Sequence, residues 1–127
     1  MAVVRIAVPS EGQGGLAGLR AGHFGHCDVF TLIDVENGAI KEVSILANKE
    51  HVQGGCMVPV QLLAEHKVQR LVVGGIGMRP LQGFKQVGID VYYDGECREI
   101  RPVVEAMIAE TLPMIGDDQV CGGGGGH

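Results

Sequence analysis

The segment AGHFGHC, residues 21–27, sets His23, His26 and Cys27 among glycines just ahead of an apolar run. A second segment, HVQGGC, sets His51 and Cys56 beside another glycine pair. A third, GGIGMR, residues 74–79, holds three glycines and Arg79. Imidazole and thiolate are soft donors. They suit iron, copper, zinc or a sulfide-rich cluster rather than magnesium or calcium. Glycine-rich backbone at a helix start offers bare N–H groups and partial positive charge, which suit an anion. Arg79 adds a fixed cation, and Arg20, His23, His26 and His51 could add donors. Together these residues describe a pocket for an anionic metal–sulfur species, held by hydrogen bonds and by one or two direct ligands.

Each motif taken alone also fits a structural role. Glycines after a strand often serve packing, and the His-Phe-Gly-His spacing is not that of a zinc site. Cys56 could be a small buried hydrophobe or, near a helix N-terminus, a thiolate of lowered pKa. Cys97, in a turn, and His66, late in a helix, read as structural. Cys121 and His127 lie in a glycine-rich end, CGGGGGH, whose tether could close over a metal. A tail extended from Pro113 spans up to ~50 Å, so reach is no obstacle.

What must position these residues is one domain. The chain has 127 residues, enough for a core without disulfide staples. Glycine is abundant, at 21 residues, without a repeating period, so tight turns or close backbone approaches are expected. The net charge of −5 argues against nucleic acid and membrane surfaces, which call for basic faces. No apolar run is long enough to span a bilayer, and the N-terminal one is too short for a signal peptide. A cytoplasmic location and reduced cysteines are the expectation.

Val3–Val8 reads as a buried strand ended by Pro9, followed by a long glycine-rich loop. Asp28–Val35 and Ala39–Asn48 read as strands joined by an Asn37-Gly38 hairpin turn. Met57–Lys67 has helical spacing. RLVVGG is a strand ending in glycines, Arg79–Val87 a helix weakened by Gly83, and GIDVYY a fifth strand. Arg98–Leu112 is a helix; Pro102 fits it only in the first turn, so it begins near Arg101. The order βββαβαβα predicts a mixed five-stranded sheet with helices on its faces and parallel pairing for the helix-linked strands. Domain bounds are 1–112, with 113–127 as a flexible tail. Ligands in such sheets bind beyond the carboxyl ends of parallel strands. The loops after the first and fourth strands should meet there. The third strand is expected to run antiparallel to the first, with its exit tending to the same edge.

HFGHCDVFTLIDV, NKEHVQGGCMVPVQLL and VQRLVVGGIGMRPLQGFKQVGIDVY together resemble the dinitrogenase iron–molybdenum cofactor biosynthesis family, which includes small nitrogenase cofactor carriers and orange proteins. The resemblance runs to about Leu112. It implies a ribonuclease H-like α/β/α sandwich. It also implies non-enzymatic binding of a molybdenum-containing metal–sulfur cluster, of Fe–Mo or Mo–Cu type, with cluster donor or acceptor proteins as partners. The family's motif positions fall on Phe24, Gly25 and His26, on His51, Gly55 and Cys56, and on Gly74, Gly75 and Gly77. His26, His51 and Cys56 are the leading metal-ligand candidates. Two other readings stand beside this one: a protein–protein module of a redox or cell-division operon, and a metal-dependent nuclease or phosphohydrolase. The last needs a carboxylate cluster, and the first strand supplies no acid.

Overall fold

The computed structural model describes residues 3–22, 27–47, 57–94, 98–115 and 120–121. Eight strands and three helices follow in chain order. They are β1 (Val3–Glu11), β2 (Leu19–Arg20), β3 (Val29–Glu36), β4 (Ala39–Ala47), α1 (Met57–Glu65), β5 (Arg70–Val73), β6 (Ile76–Gly77), α2 (Met78–Val87), β7 (Asp90–Tyr93), α3 (Ile100–Ile108) and β8 (Val120–Cys121).

The main sheet runs β4-β3-β1-β5-β7, with β2 pairing the end of β1. It therefore has six strands rather than the expected five. A second, two-stranded sheet joins β6 to β8. β1, β3 and β4 pair antiparallel, whereas β1, β5 and β7 pair parallel. The helix-linked strands are thus parallel, as chain connectivity requires.

Side-chain alternation divides the strands between two cores. Ala7, Phe30, Leu32, Leu71, Val73 and Val91 pack with Val60 and Leu63 of α1 and with Leu81 and Phe84 of α2. Ile6, Val8, Ile33 and Val72 point the other way, onto Ile100, Val103, Val104 and Met107 of α3. A sheet buried on both faces must be apolar at successive positions, which is why β1 and β5 show no polar alternation. In α3 the residues at helical spacing are the ones the sequence marks. Pro102 sits in the first turn, where a missing N–H is tolerated.

Three expectations change. β1 does not stop at Pro9 but continues to Glu11, with Pro9 in register with Phe30. The absent N–H falls beyond the Ile6–Ala7 ladder with β5, and the Pro9 carbonyl still accepts from Ala21 N–H at 2.8 Å. β4 is antiparallel to β3, which is antiparallel to β1, so β4 runs in the same direction as β1. Two reversals restore the original direction, and this is what brings its exit to the edge where β1 ends. Finally, the expected flexible tail begins with paired backbone. Tyr93 N–H donates to Pro113 O at 3.0 Å, Ile115 N–H donates to Val91 O at 3.0 Å, and Ile115 is buried. Among the described residues no helix is long and apolar enough to cross a membrane.

Candidate functional site

The carboxyl ends of the parallel strands share one edge with the start of β3 and the end of β4. Ser10 is level with Val29, Val29 with Ala47, and Val73 with Tyr93. The chain therefore leaves the described structure after Gly22 and Ala47 and re-enters at Cys27 and Met57 around this edge. Gly74 and Asp94 directly follow β5 and β7 there. The strand ends Ser10, Ala47 and Val73, from which those loops depart, lie toward this one edge.

All four buried polar residues of the described structure lie toward this end: Ser10, Arg20, Thr31 and Asp94. Two of them fasten the loop after β1. Gly15 N–H donates to Thr31 Oγ1 at 3.0 Å, the Ser10 and Thr31 hydroxyls are 2.7 Å apart, and Ser10 Oγ donates to Val8 O at 2.7 Å. Because Ser10 spends its proton on Val8, Thr31 must donate to Ser10. The three bonds run in one direction.

Gly14 packs tightly here. It has φ +70, and a Cβ would sit 2.8 Å from both Thr31 Oγ1 and Val29 Cγ2. The same loop caps α3. Ile100 N–H donates to Gly18 O at 3.1 Å, Arg101 N–H to Leu16 O at 3.2 Å, and Arg20 N–H to Arg98 O. The first two bonds satisfy N–H groups at the start of a helix whose N-cap, Glu99, makes no side-chain bond, and the third ties the residue before that cap to the loop. The first half of the long glycine loop is thus structural. Only its second half leads to the candidate site.

Arg20 is the main charged feature. Its side chain is 3% exposed, and Nη1 donates to Ala21 O at 3.0 Å. The guanidinium lies on Gly74. A Cβ there would overlap Nη1 and stand 2.7 Å from Cζ. Gly74 is therefore needed so that the cation can reach the end of β5. Asp94, 6% exposed, extends the neighbouring strand, its N–H donating to Val73 O at 3.0 Å. Sequence reasoning passed over Ser10, Thr31 and Asp94. The available signal for Asp94 was its place as the first acid after a parallel strand.

After β5 the chain turns through Gly74-Gly75 into β6 and then α2. Gly77 is the N-cap, extended at φ −77 and ψ 163, with no side-chain cap bond. Arg79 is exposed in the first turn of α2, where no acid is present. A cation there opposes the helix dipole, a local penalty that a bound anion would offset. β8 lies parallel to β6, setting Cys121 beside Gly77 in register.

Arg20, Gly74, Gly75, Gly77, Arg79 and the Cys121 backbone thus occupy neighbouring places. Cys27 does not join them as an exposed thiol: it is 2% exposed and part of the core under α1 and α2. His23, Phe24, Gly25, His26, His51, Gly55, Cys56 and His127 lie outside the described residues. Among the described residues no three His, Cys, Asp or Glu side chains are grouped to hold a metal ion.

A family model for the dinitrogenase iron–molybdenum cofactor matches residues 2–110. The chain belongs to the dinitrogenase iron–molybdenum cofactor family. One relative of this family member is an uncharacterized protein of Methanocaldococcus jannaschii. It is 38% identical over 72 residues, which are 55% of this chain and 61% of that protein. The match thus spans under two thirds of that relative's length. The apo orange protein of Desulfovibrio gigas is similar in structure, with a TM-score of 0.78 and 28% identity over 88% of this chain and 92% of its own. The crystal structure of PH0822 is similar too, with a TM-score of 0.75 and 27% identity over 90% of this chain and 98% of that one. The family member and these structures share the mixed sheet with its helices.

Proposed function

We propose that this protein is a non-enzymatic carrier of an anionic, molybdenum-containing metal–sulfur cluster, of iron–molybdenum or molybdenum–copper type. Family membership and the likeness to the orange protein support a cofactor-handling role. The observation that carries the reading is the Arg20 guanidinium, buried against Gly74 at the edge where the loop attachments converge. A fixed cation beside glycine amides at a helix start attracts an anion in a poorly hydrated setting.

In this reading Arg20 and Arg79 supply charge and Gly74, Gly75 and Gly77 supply backbone donors. His26, His51 and Cys56 serve as direct ligands. His23, Phe24, Gly25 and Gly55 shape the loops, and Cys121 and His127 are auxiliary ligands. Cys27 contributes by holding the first loop to the core. The strand order, antiparallel then parallel, supports describing the fold as ribonuclease H-like, with 1–112 as the carrier domain. A thiol-bearing cluster carrier suits a reducing, cytoplasmic compartment, with donor and acceptor proteins of the cluster as its partners.

Anaerobic addition of tetrathiomolybdate with copper(I) should produce a visible absorption band, and His26→Ala or Cys56→Ser should weaken it. Absence of any spectral change in the full chain overturns the proposal. Magnesium-dependent hydrolysis of a nucleic acid or phosphoester would favour the nuclease reading instead. That reading has little to draw on: the carboxylate of Asp34 is tied to Arg5 by bonds of 2.7 and 3.1 Å near the opposite end of the sheet.

A further inference from the structure

Among the described residues beyond the family match, which are 111–115 and 120–121, residues 113–115 and 120–121 do two things. Pro113 and Ile115 bond the outer edge of β7, and Met114 bridges to Tyr92. Met114 and Ile115 also line a cavity of about 140 Å³ with Leu81 and Lys85 of α2. Further on, Val120 and Cys121 pair with Ile76 and Gly77, the two residues that lead into α2. The C-terminal chain is therefore attached at the sheet margin and again at the turn where the proposed site lies. In that second sheet β6 has β8 as its partner.

A two-residue parallel pair is marginal by itself, so its order depends on what adjoins it. What adjoins it is the Gly74–Gly77 turn and the first turn of α2. Gly77 brings no side chain to cap that helix; Ile76 anchors the turn in the core, and backbone pairing with β8 adds a second hold at Gly77.

We infer that residues 120–121 form a retention strap for the site, coupling the order of the C-terminal chain to occupancy by the anionic cargo. This rests on the carrier reading given above. Cargo held by the glycine turn and the α2 start immobilises β6 and so favours its pairing with β8. The pairing in turn presents the turn already ordered, so cargo leaves more slowly. Such coupling is reciprocal: the factor by which pairing tightens cargo binding equals the factor by which cargo favours the pairing.

The test compares the full chain, a chain ending at Gln119 and Cys121→Ser, each loaded anaerobically with tetrathiomolybdate and copper(I). Urea midpoints check that all three fold. The shortened chain should bind about tenfold more weakly, the equivalent of ~1.4 kcal/mol. Cys121→Ser, which keeps the backbone pair, should lose less than the shortened chain. In amide exchange, Gly77 and Cys121 of the full chain should gain protection on loading by a factor matching the affinity difference. Equal affinity and equal release in the full and shortened chains overturns the strap while leaving the carrier reading intact. If neither chain binds cargo, the carrier reading fails. Amide exchange at Gly77 that is identical in the unloaded full and shortened chains overturns the strap by itself.

Discussion

The two ends of the sheet solve opposite problems. Toward the end where β1 starts, charge is neutralised locally and near the surface. Arg5 Nε and Nη2 grip both carboxylate oxygens of Asp34 across the β1–β3 pair, and Arg5 Nη1 reaches His66 O at 2.9 Å. The Asn37-Gly38 turn closes β3 onto β4 with φ of 56 and 76, as a two-residue hairpin demands. Toward the other end a surface pair also forms, Arg98 with Glu11 at 3.2 Å, but four polar residues are buried there and glycine lets a guanidinium lie on bare backbone. The first end is built for closure. The second holds an ordered cation, Arg20, against the backbone of Gly74 and Ala21.

Substitutions can break or sharpen that contrast. Gly74→Ala should have the largest effect, because the new methyl group overlaps a guanidinium that is itself buried. Overpacking of this kind costs about 1–3 kcal/mol, read as a lowered urea midpoint, and the cluster absorption should fall with it as Arg20 is displaced. Thr31→Val interrupts the one-way chain from Gly15 to Val8, and loss of about 1–2 kcal/mol is expected together with faster amide exchange at Gly15.

At the opposite end Gly38→Ala places a Cβ at positive φ in an otherwise open turn. It should destabilise by ~1 kcal/mol and leave cluster binding unchanged. Asp34→Asn should be the smallest, a few tenths to ~1 kcal/mol for a partly exposed pair. Its pH dependence identifies it. The hydrogen bond from Arg5 holds the Asp34 carboxyl below its ordinary value, with the Arg5 and Lys41 charges adding and burial opposing. A lowered folded value means stability present above the ordinary aspartate range and lost as pH falls through the lowered one. The difference between wild type and Asp34→Asn should thus persist near neutrality and vanish in acid. A difference that grew in acid would refute the ion pair as its source.

The closed end was largely legible in the residues. Asn-Gly between apolar runs announces the hairpin, and at the other end Pro102 locates the start of α3. The helix-linked strands had to be parallel. The open end was legible in composition but not in detail. β2, β6 and β8 are two residues each, too short to leave any periodicity. Pro9 suggested a stop because its lost donor is visible in sequence, whereas the Ala21 partner of its carbonyl is not. The role of the glycine loop after β1 stayed open in the sequence because composition does not separate a loop that caps a distant helix from one that binds a ligand. Arg20 was picked out as a donor, but its burial depends on Gly74, far along the chain. The loops bearing His26, His51 and Cys56 were read from sequence to reach this edge, and their described flanks do so. Those residues themselves lie outside the described structure.

The margins of the main sheet bear on which encounters the protein permits. On one side Pro113–Ile115 occupies the backbone of β7. On the other, Asp34 faces Glu42 while Val35 faces Ile40, so Lys41 is an extra residue that buckles β4 at its outer border. Irregular or covered borders discourage strand-to-strand growth between molecules. Two molecules are thereby kept from joining sheets edge to edge at these borders.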